Sequence, residues 1–154
     1  MEAIAPDRSL KARLQSRSAR LLTWIIFLAA PIYADRAADV RAQIGRIATA
    51  LSSGNPADAM VPFDKSFKDY EKLKGYFEAL ARYQLSNEVD VTDEEDSETE
   101  TTISVHWTMT LADLGTNTSE ERAADLKIRL VARDAKCTVV DLSPVDFFNP
   151  ATKK

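Results

Sequence analysis

At Leu85 the hydrophobic period of this chain changes from near 3.6 to 2, and it keeps the second value almost to the C-terminus. Ahead of the switch, apolar side chains recur three and four residues apart. Beyond it, they alternate one by one with polar side chains. Helices first and strands afterwards make an α+β chain. Strands with one polar face apiece imply an antiparallel sheet half covered by those helices.

The helical half carries its own punctuation. Val40, Ile44, Ile47, Ala48 and Leu51 share one helical face, with Arg41, Gln43 and Arg46 on the other, and the stretch runs out in Ser52-Ser53-Gly54. Asn55-Pro56-Ala57-Asp58 then offers a cap, a proline at the first helical position and an acid in the first turn, which predicts a short second helix to about Val61. Ser66-Phe67-Lys68-Asp69 has the form of a capping box, and Tyr70, Leu73, Phe77 and Leu80 line one face of a third helix over 67–83, with Tyr76 and Ala81 beside it.

In the other half, Leu85, Val89 and Val91 alternate with Ser86, Glu88 and Asp90. Ile103, Val105, Trp107, Met109 and Leu111 alternate with Ser104, His106, Thr108 and Thr110, and Ala124, Leu126, Ile128 and Leu130 with Asp125, Lys127 and Arg129. A fourth run, Cys137–Leu142, is short and apolar on both faces. The connections read as hairpins: an acidic loop from Asp93 to Glu100, then Asp113–Asn117, then Arg133–Lys136. If the strands bearing Glu88 and Asp90 and bearing Lys127, Arg129 and Arg133 are neighbours, their charges pair across the sheet.

Location is written at the start. Arg8, Lys11, Arg13, Arg17 and Arg20 precede the apolar run Leu21–Ala30, followed by Pro31-Ile32-Tyr33-Ala34. Such a run fits the roughly 7 to 15 residues of a signal core and falls short of the roughly 20 needed to span a bilayer. Residues 1–34 therefore read as a secretory signal cleaved near Ala34, although Ile32 departs from the small-x-small pattern. The alternatives are an uncleaved anchor with its basic end in the cytoplasm, or an ordinary buried helix. The first two place the body outside the cytoplasm, secreted or periplasmic, or inner-membrane anchored and facing the periplasm.

Residues 1–34 hold five basic and two acidic side chains, so the formal charge of −4 for the chain becomes −7 without them. A body that acidic lacks the basic footprint of a nucleic-acid binder. Cys137 is the only cysteine, which excludes an intramolecular disulfide and a cysteine-based zinc site; it reads as a buried, inert small hydrophobe. Asp93, Glu94, Glu95, Asp96, Glu98 and Glu100 lack the alternation and the glycine of a calcium loop, and read as a solvated hairpin tip that blunts a sheet edge. No metal or cofactor is implied.

A long helix, a short one, a third and then an antiparallel meander, in about 120 residues, resembles the nuclear transport factor 2-like, or cystatin-like cone, superfamily. The stretch Leu126-Lys127-Ile128-Arg129-Leu130-Val131-Ala132-Arg133-Asp134-Ala135-Lys136-Cys137-Thr138-Val139-Val140-Asp141-Leu142 is similar to the last hairpin of such domains, with Cys137 where many place a tryptophan. The resemblance implies three N-terminal helices packed on a curved antiparallel sheet over residues 35–148, a tail at 149–154, and homodimerisation through the sheet near His106 and Thr108. Between Ala57 and Lys68 the chain is too short and proline-broken to show the first strand of many relatives. In the enzymes of the superfamily that region and the inner sheet face supply acid and base groups. Here the corresponding positions are Met60, Val61, Phe63, Trp107 and Met109, none of which moves a proton.

His106 could act as a general base, but its parity sets it opposite Trp107, on the polar face. Asp141, among Val139, Val140 and Leu142, and Tyr76 form the one plausible proton-transfer pair, with a strand-end structural role as the plainer reading of Asp141. Tyr70, Tyr76, Phe77, Trp107 and Met109 converge between the third helix and the sheet, as a ligand pocket or as plain core. The expectation is an exported, non-enzymatic domain that binds a protein partner or a small apolar ligand in the cell envelope. A small-molecule isomerase or dehydratase and a membrane-anchored assembly subunit are the alternatives.

Overall fold

The computed structural model of the protein describes residues 30–133 and 136–151. The described residues from Arg36 onward make one compact unit. The signal or anchor read over 1–34 falls, save for the helical backbone of its last five residues, outside the described residues.

Helix α1 (Ala30–Ser52) buries Val40, Ile44, Ile47 and Leu51, the stripe read from the sequence, and stops where Gly54 takes a φ of 65°, which only glycine adopts at no steric cost. Asn55 caps helix α2 (Pro56–Met60): its side-chain oxygen accepts from the Asp58 N–H at 3.2 Å, and its Nδ2 donates to the Asp58 carboxylate at 2.6 Å. Helix α3 (Tyr70–Leu80) buries Leu73, Phe77 and Leu80 and is shorter than the 67–83 expected. The capping box does not form. The Ser66 N–H and hydroxyl both donate to Asp64 Oδ1, at 2.8 and 2.7 Å, so those residues build a turn and α3 begins after Asp69. The three helices thus head the folded unit, within residues 30–80, and not the chain. Among the described residues no helix is long and apolar enough to cross a membrane.

Strands β1 (Gln84–Asp96), β2 (Glu100–Asp113), β3 (Thr118–Arg133) and β4 (Lys136–Ser143) form an antiparallel sheet in the order β1-β2-β3-β4. Bulges at Val91/Asp93 and Arg129/Leu130 shift its register, the device that bends and twists a strand locally. The run Asp93–Asp96 is strand, not loop. Beyond the bulge Asp93 and Glu95 face outward beside Ser104 and Thr102, while Glu94 turns inward and meets Arg41 at 3.1 Å. β3 starts at Thr118, six residues before its apolar alternation, because pairing with β2 runs down to the Asp113 turn. β2 lies between β1 and β3, so Glu88 and Asp90 do not pair with Lys127 and Arg129; Arg129 meets Glu100 of β2 instead, at 3.2 Å.

The segment after α2 is pinned to the sheet by one parallel bridge. Val139 donates to Pro62 O and accepts from the Asp64 N–H, both at 2.8 Å, the remnant of the first strand that the prolines made hard to read. After β4, a cis Ser143–Pro144 peptide leads into a single 3-10 turn, Val145–Phe148, that folds back beneath the sheet against α3.

Candidate functional site

The inner sheet face and α3 bring Phe77, Trp107 and Met109 together, all fully buried, with Tyr70 and Tyr76 half-buried against them. The space between Phe77 and Trp107 is not open. The ring of Phe148 stands there, its centroid 5.2 Å from that of Phe77 and 5.3 Å from that of Trp107, edge to face with each. Phe63 adds a fourth ring, 6.1 Å from Phe77, and Phe147 packs 4.9 Å from Phe148. These residues are core, with the C-terminal turn as the piece that completes it.

Polar groups tie the cluster down. Trp107 Nε1 donates to Asn87 Oδ1 at 2.9 Å, and Asn87 Nδ2 donates to Ser52 Oγ at 3.0 Å, which links β2 through β1 to the end of α1. Arg122, on the inner parity of β3 opposite Met109, donates from Nη1 to the carbonyl oxygens of Phe147 and Asn149 at 3.4 and 2.8 Å, and from Nη2 to Glu120 at 2.8 Å. At the rim, the Tyr76 hydroxyl donates to Asp146 Oδ1 at 2.8 Å and Lys72 Nζ reaches the same oxygen at 2.8 Å. The hydrogen bond from Lys72, with that from Tyr76, holds the Asp146 carboxyl below its ordinary range; the bond to Asp146 raises both Lys72 and Tyr76.

The suggested proton-transfer pair is not assembled. The bulge at Arg129/Leu130 puts Asp141 on the outward face beside Arg129, exposed, while Val139 and Leu142 take the inward positions. Tyr76 sits on α3, its hydroxyl already committed to Asp146. His106 also points outward: its Nδ1 lies 2.7 Å from Asp125 Oδ1, and Asp90 completes the row on its other side. Burial pushes the Cys137 thiol up, which keeps it in the unreactive neutral form. Among the described residues no cluster of histidine, cysteine, aspartate or glutamate is arranged to hold a metal.

Open grooves accompany this filled interior among the described residues. One, of about 510 Å³, runs between α1 and α2 past Arg46, Thr49, Ser53, Asp58 and Val61. Another, of about 430 Å³, lies at the β2–β3 turn past Tyr83, Leu111, Asp113, Glu120 and Pro150.

Phe148, Arg122, Asn87 and Asp146 escaped the sequence reading. A signal existed for one of them: Arg122 falls on the parity of Ala124, Leu126 and Ile128, a charge in an apolar row.

No protein-family model matches the chain, and no curated protein matches it by sequence. Solved structures do match it in shape. A nuclear transport factor 2-like superfamily protein of Salmonella enterica serovar Typhimurium superposes with a TM-score of 0.61 at 5% identity, over 71% of this chain and 89% of its own. A scytalone dehydratase-like protein of Novosphingobium aromaticivorans gives 0.64 at 10% identity, over 73% and 85%. A hexachlorocyclohexane dehydrochlorinase, LinA type 2, gives 0.61 at 9% identity, over 74% and 86%. The helices, the four-stranded antiparallel sheet and these superpositions define an α+β cone domain. Its fold is the nuclear transport factor 2-like fold, the one its final hairpin resembles.

Proposed function

We propose that this chain is an exported, non-enzymatic cone domain that works by binding, with the outer face of its sheet as the association surface and a second copy as its first partner. The observation that carries the reading is Phe148: the chain's own ring fills the space in which a cone-fold enzyme would hold its substrate, and Asp141 and Tyr76 lie outside it.

The outward face suits a second copy. Thr102, Ser104, Thr108 and Thr110 of β2 form a half-buried hydroxyl ladder, flanked by Glu88, Asp90, Asp93 and Glu95 on β1 and by Glu121, Asp125, Lys127 and Arg129 on β3. A two-fold axis along β2 lays Asp93 and Glu95 of one copy over Lys127 and Arg129 of the other, an isologous pairing of opposite charges at that end of the face, while Asp90 falls over Asp125. Sheets stacked face to face keep their strands within about 30° of one another, which this axis satisfies.

The test is sedimentation velocity of the full chain beside Thr108→Arg, which plants a bulky charge mid-face. The wild type is expected to dimerise and the variant to stay monomeric with an unchanged thermal midpoint. A wild type that remains monomeric at every concentration overturns the association surface. Export is tested separately, by intact mass of the protein recovered from the cell envelope: loss of residues 1–34 fits a signal, and retention fits an anchored assembly subunit.

A further inference from the structure

Strand β1 is an outermost strand of the sheet, and its free edge is open. The opposite edge is not: Val139 of β4 is bridged to Phe63, with hydrogen bonds to Pro62 and Asp64. Every second residue of an edge strand aims its N–H and C=O out of the sheet, ready to pair with another chain. Over Gln84–Val91 the only backbone hydrogen bonds among the described residues are those of the ladder with β2. Past Val91 the bulge breaks the pattern, so the open stretch ends there.

Helix α1 runs beside this strand. It is tied to β1 at two levels, by Asn87 Nδ2 donating to Ser52 Oγ at 3.0 Å and by Arg41 meeting Glu94 at 3.1 Å. Between those ties, on the same side of the helix, come Gly45 and Ala48, and nothing lies within 4 Å of where a Gly45 Cβ would stand. The helix thus leaves room along the strand. Val89 and Val91 take the inner parity of β1; Val89 is half-buried and Val91 is 39% exposed, although its row on the sheet belongs to the core.

The outer parity has the opposite chemistry. Glu88 and Asp90 are exposed, and neither makes a hydrogen bond or ion pair among the described residues, since His106 turns to Asp125. Stacking two copies about β2 gives them no base either, because Asp90 meets Asp125 and Glu88 meets Ala123.

We propose that the open edge of β1 is a site of β-strand addition, and that its occupant is an extended segment of a partner protein alternating basic and apolar residues. The segment pairs its backbone with Gln84–Val91, sets its apolar side chains beside Val89 and Val91, and sets lysine or arginine beside Glu88 and Asp90. Main-chain hydrogen bonds hold it. The alternation selects it. A second copy of this chain does not fit the edge, because β1 against β1 sets Glu88 and Asp90 against the same acids. The edge is therefore a site for a different partner from the one proposed for the outer face, and the inference does not depend on association of copies.

The probe is a capped peptide that alternates lysine and valine over about eight residues, within the usual span of a strand. One control has the same composition with its lysines and valines in two blocks, and another has glutamate in place of lysine. Binding to the full chain is read by fluorescence anisotropy at physiological salt, and its position by amide hydrogen exchange. The alternating lysine peptide is expected to bind at least about tenfold more tightly than either control and to slow exchange within Gln84–Val91. Glu88→Lys combined with Asp90→Lys, two changes at exposed positions that leave the core alone, is expected to weaken its binding about tenfold. Equal binding of the alternating and blocked lysine peptides overturns the proposal, as it would mean attraction of charge without strand pairing. So do protection that falls outside β1, an unchanged affinity in the charge-reversed variant, and no binding of the alternating peptide.

Discussion

Single side chains in this domain carry unequal weight, and the aromatic trio carries most. Phe148→Ala removes a fully buried ring from between two others and is expected to cost about 3–5 kcal/mol in urea unfolding, the range for aromatic-to-alanine changes in a core. Trp107→Ala belongs in the same range. Asn87→Ala is a sharper probe, since it leaves the packing nearly intact and strands the buried Trp107 N–H, for an expected loss of about 1–3 kcal/mol. Asp146 links stability to pH at both ends. Its folded pKa is lowered, so its contribution is present above the unfolded value of about 3.9 and is lost as pH falls through the folded one. Lys72 and Tyr76 are raised, so theirs is present below about pH 10 and is lost as pH rises through their folded values. Asp146→Asn is expected to flatten both flanks of the thermal midpoint against pH; flanks as steep as in the wild type would assign the dependence to other groups.

Among elements, the helices show how local chemistry sets limits that packing then uses. Gly54 needs its positive φ to end α1, and Gly54→Ala is expected to destabilise by about 1 kcal/mol. Gly75 lies inside α3 with ordinary helical geometry and open space where a Cβ would stand, so Gly75→Ala is expected to stabilise by about 0.5–1 kcal/mol. Opposite signs for the same substitution, read by thermal unfolding, separate a backbone requirement from a neutral position. The element boundaries that the sequence misplaced share one cause. Ser66 prefers the Asp64 carboxylate to an α3 N–H, and the acidic run pairs as strand because Thr101–Ser104 offer it a ladder on one side. Each is a choice among nearby partners that spacing alone does not rank.

For the molecule as a whole, the period switch at Leu85 was enough to order the chain into helices and then an antiparallel meander, because burying one face of each element is a property of spacing alone. The same reasoning set Trp107 inward and His106 outward, and made Leu73, Phe77 and Leu80 the buried face of α3. Spacing carries no information on what meets that face. The bulge at Arg129/Leu130 turned Asp141 away from the interior, the order of the sheet set β2 between the charges expected to pair, and the turn Val145–Phe148, too short for any periodicity, supplied the ring that closes the core. Composition and pattern determined the fold class and the sides of the sheet. Whether the space between helix and sheet is a pocket or a packed interior was decided only by tertiary structure, because Phe148 reaches that space from a segment 41 residues beyond Trp107 in the chain.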